Sequence, residues 1–312
     1  MSLPLDTKMQ FGWMTSMDSS AAVRENTLLA DRIGLDSLWV GDHVSFAVPI
    51  MDPLLQLAQA AAISDRLSFG TSVYLLPLRH PTPVAKQVAT LDRLCDGRLT
   101  FGVGIGGEFP NEYAACGVPV KERGARLTEG MEVLRKLWSG DSVSHDGRFY
   151  PFNDVQMLPA PIQKGGPPIW CGGRSKAALT RTGRMADGYV SYVVTPEMYK
   201  ESLDVMSAAA EAINRQVERF DTAHLLFFRI DDTFEQAWDI ATEHLSERYA
   251  SDFRGPAKKY CALGCAEDLA EKINAFREAG VRHIILDAVS PPGERNEQVE
   301  RFAKEVVPLL KS

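Results

Sequence analysis

Two kinds of apolar segment alternate along the chain. Short runs of consecutive apolar or β-branched residues, such as Ser37–Val40 and Leu99–Val103, have the length and composition of buried strands. Between them lie longer segments with apolar residues at helical spacing, for example residues 21–32 and 122–138. This alternation predicts a parallel sheet whose faces are covered by helices, because each strand–helix–strand unit returns the chain to the same edge of the sheet.

The pattern predicts about eight strands, each followed by helix. The predicted strands are residues 8–14, 37–40, 67–75, 99–103, 168–171, 188–193, 223–230 and 283–286. The predicted helices are residues 21–32, 52–62, 81–95, 122–138, 176–185, 196–216, 234–247, 267–279 and a terminal segment near 298–310. Eight such units in about 300 residues fit a closed (β/α)8 TIM barrel better than an open sheet. An open dinucleotide-binding sheet needs a glycine-rich turn after its first strand, and residues 14–20 contain no glycine.

Two segments interrupt the alternation. The dipeptide Asp146-Gly147 is a strong signal for a two-residue turn, which predicts a β-hairpin excursion in the middle of the barrel. Later, Gly255-Pro256 breaks the pattern, and residues 248–265 are predicted to form a loop or lid at the barrel mouth. Because no linker or low-complexity tract divides the chain, we expect residues 1–312 to form one domain, with insertion segments at the C-terminal face of the barrel.

Composition narrows the class of protein. The formal net charge of -7 argues against a nucleic-acid surface, which needs clustered Lys and Arg, and favours a small-molecule partner. The first ten residues do not read as a signal peptide, and no apolar run reaches the length of a membrane span, so we expect a cytoplasmic protein that does not bind membranes. The five cysteines have irregular spacing and no histidine partners, which predicts reduced thiols and no metal site.

In TIM barrels the C-terminal ends of the strands carry the chemistry, so candidate residues are sought there. Asp42 and His43 directly follow the second predicted strand. An imidazole at the mouth can accept or donate a proton near neutral pH, and a neighbouring carboxylate can fix its tautomer. The plain alternative is that Asp42 caps a turn and that His43 is an ordinary surface residue.

The third and fourth strand ends are rich in small residues. Thr71 and Ser72 within an otherwise apolar strand indicate close approach of a ligand or a bulge, or else a simple core pair. Four glycines precede Glu108 after the fourth strand, at positions 102, 104, 106 and 107. Such a run lets backbone lie flat against a planar or phosphorylated ligand, although it is also typical of a flexible loop.

The fifth strand leads through a diglycine turn directly into a helix, and the residues of this turn are Gly172, Gly173, Arg174 and Ser175. Exposed amides at a helix N-terminus favour a phosphate, and the arginine can add a charge-assisted hydrogen bond. Two glycines alone would be a weak signal. Their position at the start of a helix makes this turn a candidate anion site.

Taken together, these strand ends resemble the bacterial luciferase-like monooxygenase family, in particular its branch of oxidoreductases that use the deazaflavin coenzyme F420. The resemblance rests on residues 34–43 (GLDSLWVGDH), 76–81 (LPLRHP) with Lys86, 89–92 (ATLD) and 97–98 (GR), 102–106 (GVGIG), 168–173 (PIWCGG) and 186–188 (ADG). It covers residues from about 9 to 193 well and is thin after residue 208.

The resemblance implies a flavin or deazaflavin across the barrel mouth. Its ring would pack on the third strand, where the family often has a non-proline cis peptide, and Ser72-Val73 occupies the matching place. Gly106 and Gly107 match the loop beside the ring. The residues that match the phosphate-binding loop of the family are Gly172, Gly173 and Ser175.

The resemblance also implies the catalytic groups. Asp42 and His43 match the active-site pair of the F420 enzymes, and Glu108 resembles a family catalytic acid loosely, since one extra glycine precedes it. Four residues of the same pattern look more like an ion-paired helix face, namely Glu112, Arg123, Arg126 and Glu129. The implied reaction is hydride transfer between F420 and a small organic substrate, with His43 moving the proton and Asp42 orienting it.

Alternatives remain open at this point. With FMN in place of F420, the protein would be an oxygen-using monooxygenase. A third possibility is a flavin-binding relative that binds the cofactor but does not catalyse a reaction. An isomerase or aldolase on the same barrel would want a lysine or glutamate at a strand end, and no lysine is so placed. Basic residues that favour the acidic tail of F420 are Arg79, Lys121, Arg123, Lys164, Arg174 and Lys176. The expected pocket walls are Trp13, Phe46, Phe109, Tyr192 and the hairpin, and homodimers are frequent in the family.

Overall fold

A computed structural model describes residues 3–15, 17–46, 48–107 and 109–310. Its strands are β1 (Gln10–Met14), β2 (Ser37–Val40), β3 (Ser68–Thr71), β4 (Leu99–Val103), β5 (Ser142–His145), β6 (Phe152–Gln156), β7 (Ile169–Gly172), β8 (Gly188–Tyr192), β9 (Asp221–Ile230), β10 (Ala262–Gly264) and β11 (His283–Ala288). The strands β1, β2, β3, β4, β7, β8, β9 and β11 pair in this order, all in parallel, and β11 pairs with β1. The predicted TIM barrel is therefore confirmed.

Helices surround the barrel and link its strands. They are α1 (Ser20–Arg32), α2 (Pro53–Ala61), α3 (Pro81–Leu94), α4 (Pro110–Ala115), α5 (Arg123–Trp138), α6 (Lys176–Met185), α7 (Pro196–Glu211), α8 (Phe234–Tyr249), α9 (Arg254–Tyr260), α10 (Ala266–Glu278) and α11 (Arg295–Arg301). As predicted for α2, Asp52 caps the helix by accepting the Leu54 and Leu55 N–H groups, and Pro53 is its first residue. In the described part of the chain, no helix has both the length and the apolar character needed to cross a membrane.

The barrel interior is filled by two stacked indoles. The rings of Trp39 and Trp170 lie 5.1 Å apart, and the His283 ring meets both of them edge-on. Glycine at position 70 leaves room for this pair, because a Cβ there would lie 2.2 Å from the Trp39 ring. The Trp39 Nε1–H donates to Ser37 Oγ, which also contacts His283 Nε2 at 2.8 Å. Large side chains in the interior therefore depend on small residues on neighbouring strands.

Two buried histidines make the fold sensitive to acid. Burial lowers the pKa of His224 and of His283 to about 3. Below pH 6.5 the unfolded chain binds protons that the folded protein excludes, so the free energy of unfolding falls as the pH drops from about 6.5 to about 3. Between pH 7 and pH 5 we expect a loss of about 2 kcal/mol for each histidine, measured by urea unfolding.

The variant His224→Gln provides the control for this prediction. It removes one of the two titrating groups, so its unfolding free energy should fall less steeply with pH than that of the wild type. Parallel pH dependences in the two proteins would show that His224 does not contribute.

Two predicted insertions differ from the structure. The hairpin loop spans residues 146–151 rather than two residues, because the buried Glu129 carboxylate accepts the Phe149 and Tyr150 N–H groups and holds this stretch against α5. The late segment is not an irregular loop, since it contains α9 and β10, which pairs with the end of β9. A proline in the first turn of α9 costs no hydrogen bond, which explains why Pro256 does not prevent a helix there.

The helix α8 packs on the interior cluster of the barrel. Its Ala237, Ala241 and Leu245 belong to the same buried cluster as Leu225 of β9 and Ile285 of β11. The two alanines lie one turn apart and let the helix pack closely. At its last turn, α8 reaches the end of β11, where Arg248 contacts Asp287.

Candidate active site

Asp42 lies at the end of β2 and is held by two partners. Its carboxylate accepts bidentate hydrogen bonds from Arg79, at 2.6 and 2.8 Å, and a third from the Leu75 N–H at 2.8 Å. Burial raises the pKa of the Asp42 carboxyl, and the Arg79 guanidinium acts against that rise. The Arg79 guanidinium also stacks 4.4 Å above the Tyr74 ring. Asp42 therefore fixes the chain after β3 to the end of β2.

The carboxylate beside His43 belongs to Glu112 and not to Asp42. His43 Nδ1 lies 3.3 Å from both carboxylate oxygens of Glu112, which is 1% exposed and sits on α4. The Val44 and Ser45 N–H groups donate to the same carboxylate. The expectation that Asp42 orients His43 is wrong in this respect, because consecutive residues leaving a strand point to opposite sides. The interpretation of Glu112 as part of an ion-paired helix face is likewise replaced by this contact.

Two aromatic rings hold the imidazole from the sides. The Phe46 ring is stacked on His43 with ring centroids 4.1 Å apart, and the Phe109 ring meets it edge-on at 5.6 Å. Because Nδ1 faces Glu112, the proton of the neutral ring is held on Nδ1 and Nε2 is left as the acceptor. The histidine is partly exposed, at 21% of its side chain. This geometry leaves one nitrogen for exchange of a proton with a ligand in the mouth.

The end of β3 has the unusual backbone that the family resemblance implies. The peptide bond between Ser72 and Val73 is cis, as predicted. The Val73 side chain packs between two other strand ends, since a Cβ on Gly104 would lie 2.4 Å from Val73 Cγ2 and one on Gly172 would lie 3.0 Å from Val73 Cγ1. The predicted ring-binding residues Ser72 and Val73 thus lie beside the glycines that follow β4 and end β7.

The loop after β4 approaches the partly buried side chain of Arg123. Gly106 and Gly107 have positive φ angles of 51° and 111°, which favour glycine. A Cβ on Gly107 would lie 3.0 Å from Arg123 Nε, a buried nitrogen that has no hydrogen-bond partner among the described atoms. Of the proposed catalytic residues, Glu108 lies outside the described residues.

The turn between β7 and α6 has the geometry of an anion site. Gly173 has a φ of 124°, and Ser175 caps α6 by accepting the Ala178 N–H. Arg174 and Ser175 are both exposed. The Arg174 guanidinium lies 5.1 Å above the Tyr192 ring and donates to the Val193 carbonyl. The exposed amides of this ten-residue helix can therefore receive a phosphate from the mouth.

Some residues expected at the mouth lie elsewhere. Trp13 is 2% exposed and packs in the layer between strands and helices, because Gly12 and not Trp13 faces Trp39 in the interior. Lys164 precedes β7, so it lies towards the N-terminal face of the barrel. Phe46 and Phe109 do lie at the strand ends, where they surround His43.

One polar cluster has no counterpart among the site residues predicted from the sequence. Arg248 on α8 forms a bidentate ion pair with Asp287 near the end of β11, at 2.8 and 3.3 Å. The signal in the sequence is the polar residue Asp287 in an apolar strand, one position beyond the predicted end of that strand. Its partner lies 39 residues earlier on an insertion helix, which no local pattern indicates.

Two similar proteins match about seven-tenths or more of the chain. The F420-dependent glucose-6-phosphate dehydrogenase of Amycolatopsis mediterranei is 26% identical, over 92% of this chain and 94% of that protein. The sulfoquinovose monooxygenase of Agrobacterium fabrum is 33% identical over 71% of this chain and 58% of that protein.

Solved structures agree on the fold. An F420-dependent secondary alcohol dehydrogenase in complex with an F420-acetone adduct superposes with a TM-score of 0.84 at 21% identity, covering 98% of this chain and 100% of that one. The oxygenating constituent of 3,6-diketocamphane monooxygenase from Pseudomonas putida, in complex with FMN, gives 0.79 at 21% identity, covering 97% of this chain and 99% of that one. The sequence profile described as luciferase-like monooxygenase matches residues 7–307, and the chain therefore belongs to this family.

Proposed function

We propose that this protein is an oxidoreductase that binds F420 across the barrel mouth and transfers a hydride to or from a small organic substrate. The observation that carries the proposal is His43, an imidazole at a strand end whose Nδ1 is held by Glu112 and whose Nε2 has no hydrogen-bond partner among the described residues. The relatives that match over more than nine-tenths of this chain and are named F420-dependent glucose-6-phosphate dehydrogenases support the choice of cofactor.

The residues present fit such a cofactor. The exposed N-terminus of α6, with Arg174 and Ser175, suits its phosphate. Two positive-φ glycines, Gly106 and Gly107, keep the loop after β4 free of side chains where a planar ring would lie. The unpartnered Arg123 Nε behind Gly107 offers a further donor on this side. We assign the ring to the space beside Ser72-Val73 and the phosphate to the turn at residues 172–175.

When bound, F420 supplies a ring carbon that accepts or donates a hydride. His43 supplies the accompanying proton transfer, because its Nε2 can take a proton from a substrate hydroxyl or return one to a carbonyl oxygen. Glu112 selects the neutral tautomer that carries its proton on Nδ1, and its charge stabilises the imidazolium that forms when Nε2 accepts a proton. Phe46 and Phe109 keep the ring in one orientation and shield one side of it from water.

FMN is the second candidate cofactor, and it would make the protein an oxygen-using monooxygenase. This alternative is favoured by the similarity to sulfoquinovose monooxygenase and by the fold shared with an FMN complex. Both cofactors carry a phosphate, so the turn at residues 172–175 accepts either one. The residues around His43 serve proton transfer in both cases.

Equilibrium binding of the pure protein to F420 and to FMN, followed by fluorescence quenching, tests the proposal. We expect F420 to bind at least about tenfold more tightly than FMN, which corresponds to about 1.4 kcal/mol. FMN binding without F420 binding would replace the proposal by the monooxygenase alternative, and the absence of both would reject the cofactor site. A cytoplasmic location, a single domain and a homodimer stay predictions, and size-exclusion chromatography tests the last.

A further inference from the structure

A second polar cluster lies at the mouth, where α8 faces the end of β11. Asp287 points into the barrel, because it lies on the same face of β11 as His283, which contacts the Trp39 ring, and Ile285, which belongs to the interior cluster. Its carboxylate binds both terminal nitrogens of Arg248. The Arg248 guanidinium also lies 5.9 Å from the centre of the Phe227 ring, another interior residue. This cluster therefore belongs to the wall of the mouth and not to the outer surface.

A neutral histidine in this cluster bridges two guanidinium groups. His244 lies one turn before Arg248 on α8, and its Nε2 is 3.2 Å from Arg248 Nη2 and 3.3 Å from Arg295 Nη2. Burial lowers the pKa of His244 to about 4, and the two arginines contribute to this decrease. An unprotonated Nε2 accepts hydrogen bonds from both arginines. His244 thus holds the two cationic groups close together without adding a charge.

The nearby carboxylates all pair directly with other arginines. Arg248 pairs with Asp287, and the neighbouring Arg229 takes both Asp231 and Glu294. Within the described ranges, no carboxylate lies within ion-pair distance of Arg295, whose protein contacts are the Ser290 carbonyl and His244. Burial and the charge of Arg248 lower the pKa of Arg295, and the more distant Asp287 carboxylate, which Arg248 already binds, acts against this decrease. A half-buried cation without a carboxylate in direct contact is stabilised when an anion binds.

The distance to the proposed reaction centre is suitable for a small substrate. The strand β1 lies between β11, which carries Asp287, and β2, which leads to His43. Neighbouring strands are about 4.8 Å apart, so the two strand ends are separated by roughly 10 Å. A substrate of the size of a monosaccharide can place one end at His43 and the other at this cluster.

We propose that Arg295, held by His244 and flanked by Arg248, binds an anionic group of the substrate. The substrate class is therefore a small organic compound with a phosphate, sulfonate or carboxylate group at the end remote from the reacting carbon. This inference rests on the proposed function only for the position of the reacting carbon at His43. The planar guanidinium offers two parallel N–H donors, which matches the oxygens of each of these groups.

Sulfate binding to wild-type protein and to the variant Arg295→Gln tests the site by calorimetric titration. We expect Arg295→Gln to weaken sulfate binding at least about tenfold, because the neutral amide loses both the charge and the paired donors. Arg295→Lys keeps the charge and should bind sulfate within a few-fold of wild type. Arg254→Gln is the matched control. Arg254 lies on α9, the helix after α8, and it pairs with the carboxylate of Asp239.

The helix α6 N-terminus can also bind sulfate, but that contribution is the same in wild type and in the Arg295 variants, so their difference isolates the proposed site. Equal sulfate affinities of wild type and Arg295→Gln, or no sulfate binding at all, would overturn the proposal. F420 and FMN titrations of the same variants separate the two hypotheses. Unchanged cofactor affinity in Arg295→Gln is expected, whereas failure of both cofactors to bind wild-type protein rejects the proposed function and leaves the sulfate comparison valid.

Discussion

Replacing His43 by alanine is expected to lower kcat about 100-fold or more, because the group that moves the proton is lost. The affinity for the cofactor should change little, since the residues assigned to its phosphate lie on another strand end, at 172–175. Steady-state kinetics and the fluorescence titration measure these two effects separately. Added imidazole should restore part of the activity, because the substitution opens a space between Phe46 and Phe109 that fits the free ring.

His80→Asn provides the control for this experiment. His80 is an exposed histidine that caps α3 through Nδ1, and asparagine is a good substitute at a helix N-cap. Its activity should equal that of the wild type. Unchanged turnover in His43→Ala, in a protein that unfolds at the wild-type temperature, would refute the role of His43.

Glu112→Gln is expected to lower kcat on the order of 100-fold with a small change in KM, because Glu112 acts by positioning His43 and does not bind the substrate itself. The amide nitrogen of glutamine donates a hydrogen bond where the carboxylate accepted one, which favours the tautomer with a proton on Nε2. That tautomer cannot accept a proton from a substrate hydroxyl at Nε2. The variant should keep its fold, because the amide oxygen can still accept the Val44 and Ser45 N–H groups.

Nitrogen NMR of labelled histidine distinguishes this positioning role from a loss of stability. In wild type we expect the proton of the neutral His43 ring on Nδ1, and in Glu112→Gln on Nε2. Glu122→Gln is the matched control, because among the described residues Glu122 pairs with Arg126 at the start of α5 and not with His43. An identical His43 spectrum in Glu112→Gln and wild type would contradict the positioning role, whatever the activity.

The barrel could be predicted because its signal is local. Strands β2 and β4 have the predicted bounds, because each is a short, mostly apolar run that is followed directly by a glycine. The strand β3 is shorter than predicted, because its regular pairing ends at Thr71 and continues only as an isolated bridge between Tyr74 and Val103. The helix α4 was missed, because six residues between a proline and a glycine carry too little periodicity to predict a helix.

The missed helix α4 is also the reason why the partner of His43 was misassigned. Glu112 is 69 residues from His43 in the chain, and it reaches the imidazole only because α4 folds back over the end of β2. Asp42 is adjacent in the chain, yet its side chain points away and binds Arg79. Nearness in sequence thus favoured the wrong carboxylate, because alternating side-chain directions separate neighbours in an extended chain.

The sequence by itself determined the alternation of strands and helices, the strand ends that hold candidate chemistry, and the family to which they belong. These properties depend on hydrophobic period and on short motifs, which are contained in consecutive residues. Only the tertiary structure decided that Glu112 faces His43 and that no carboxylate of the described residues pairs directly with Arg295. Both depend on contacts between residues that are distant in the chain and become neighbours when the barrel closes. They also depend on which carboxylate pairs with which cation in the folded protein.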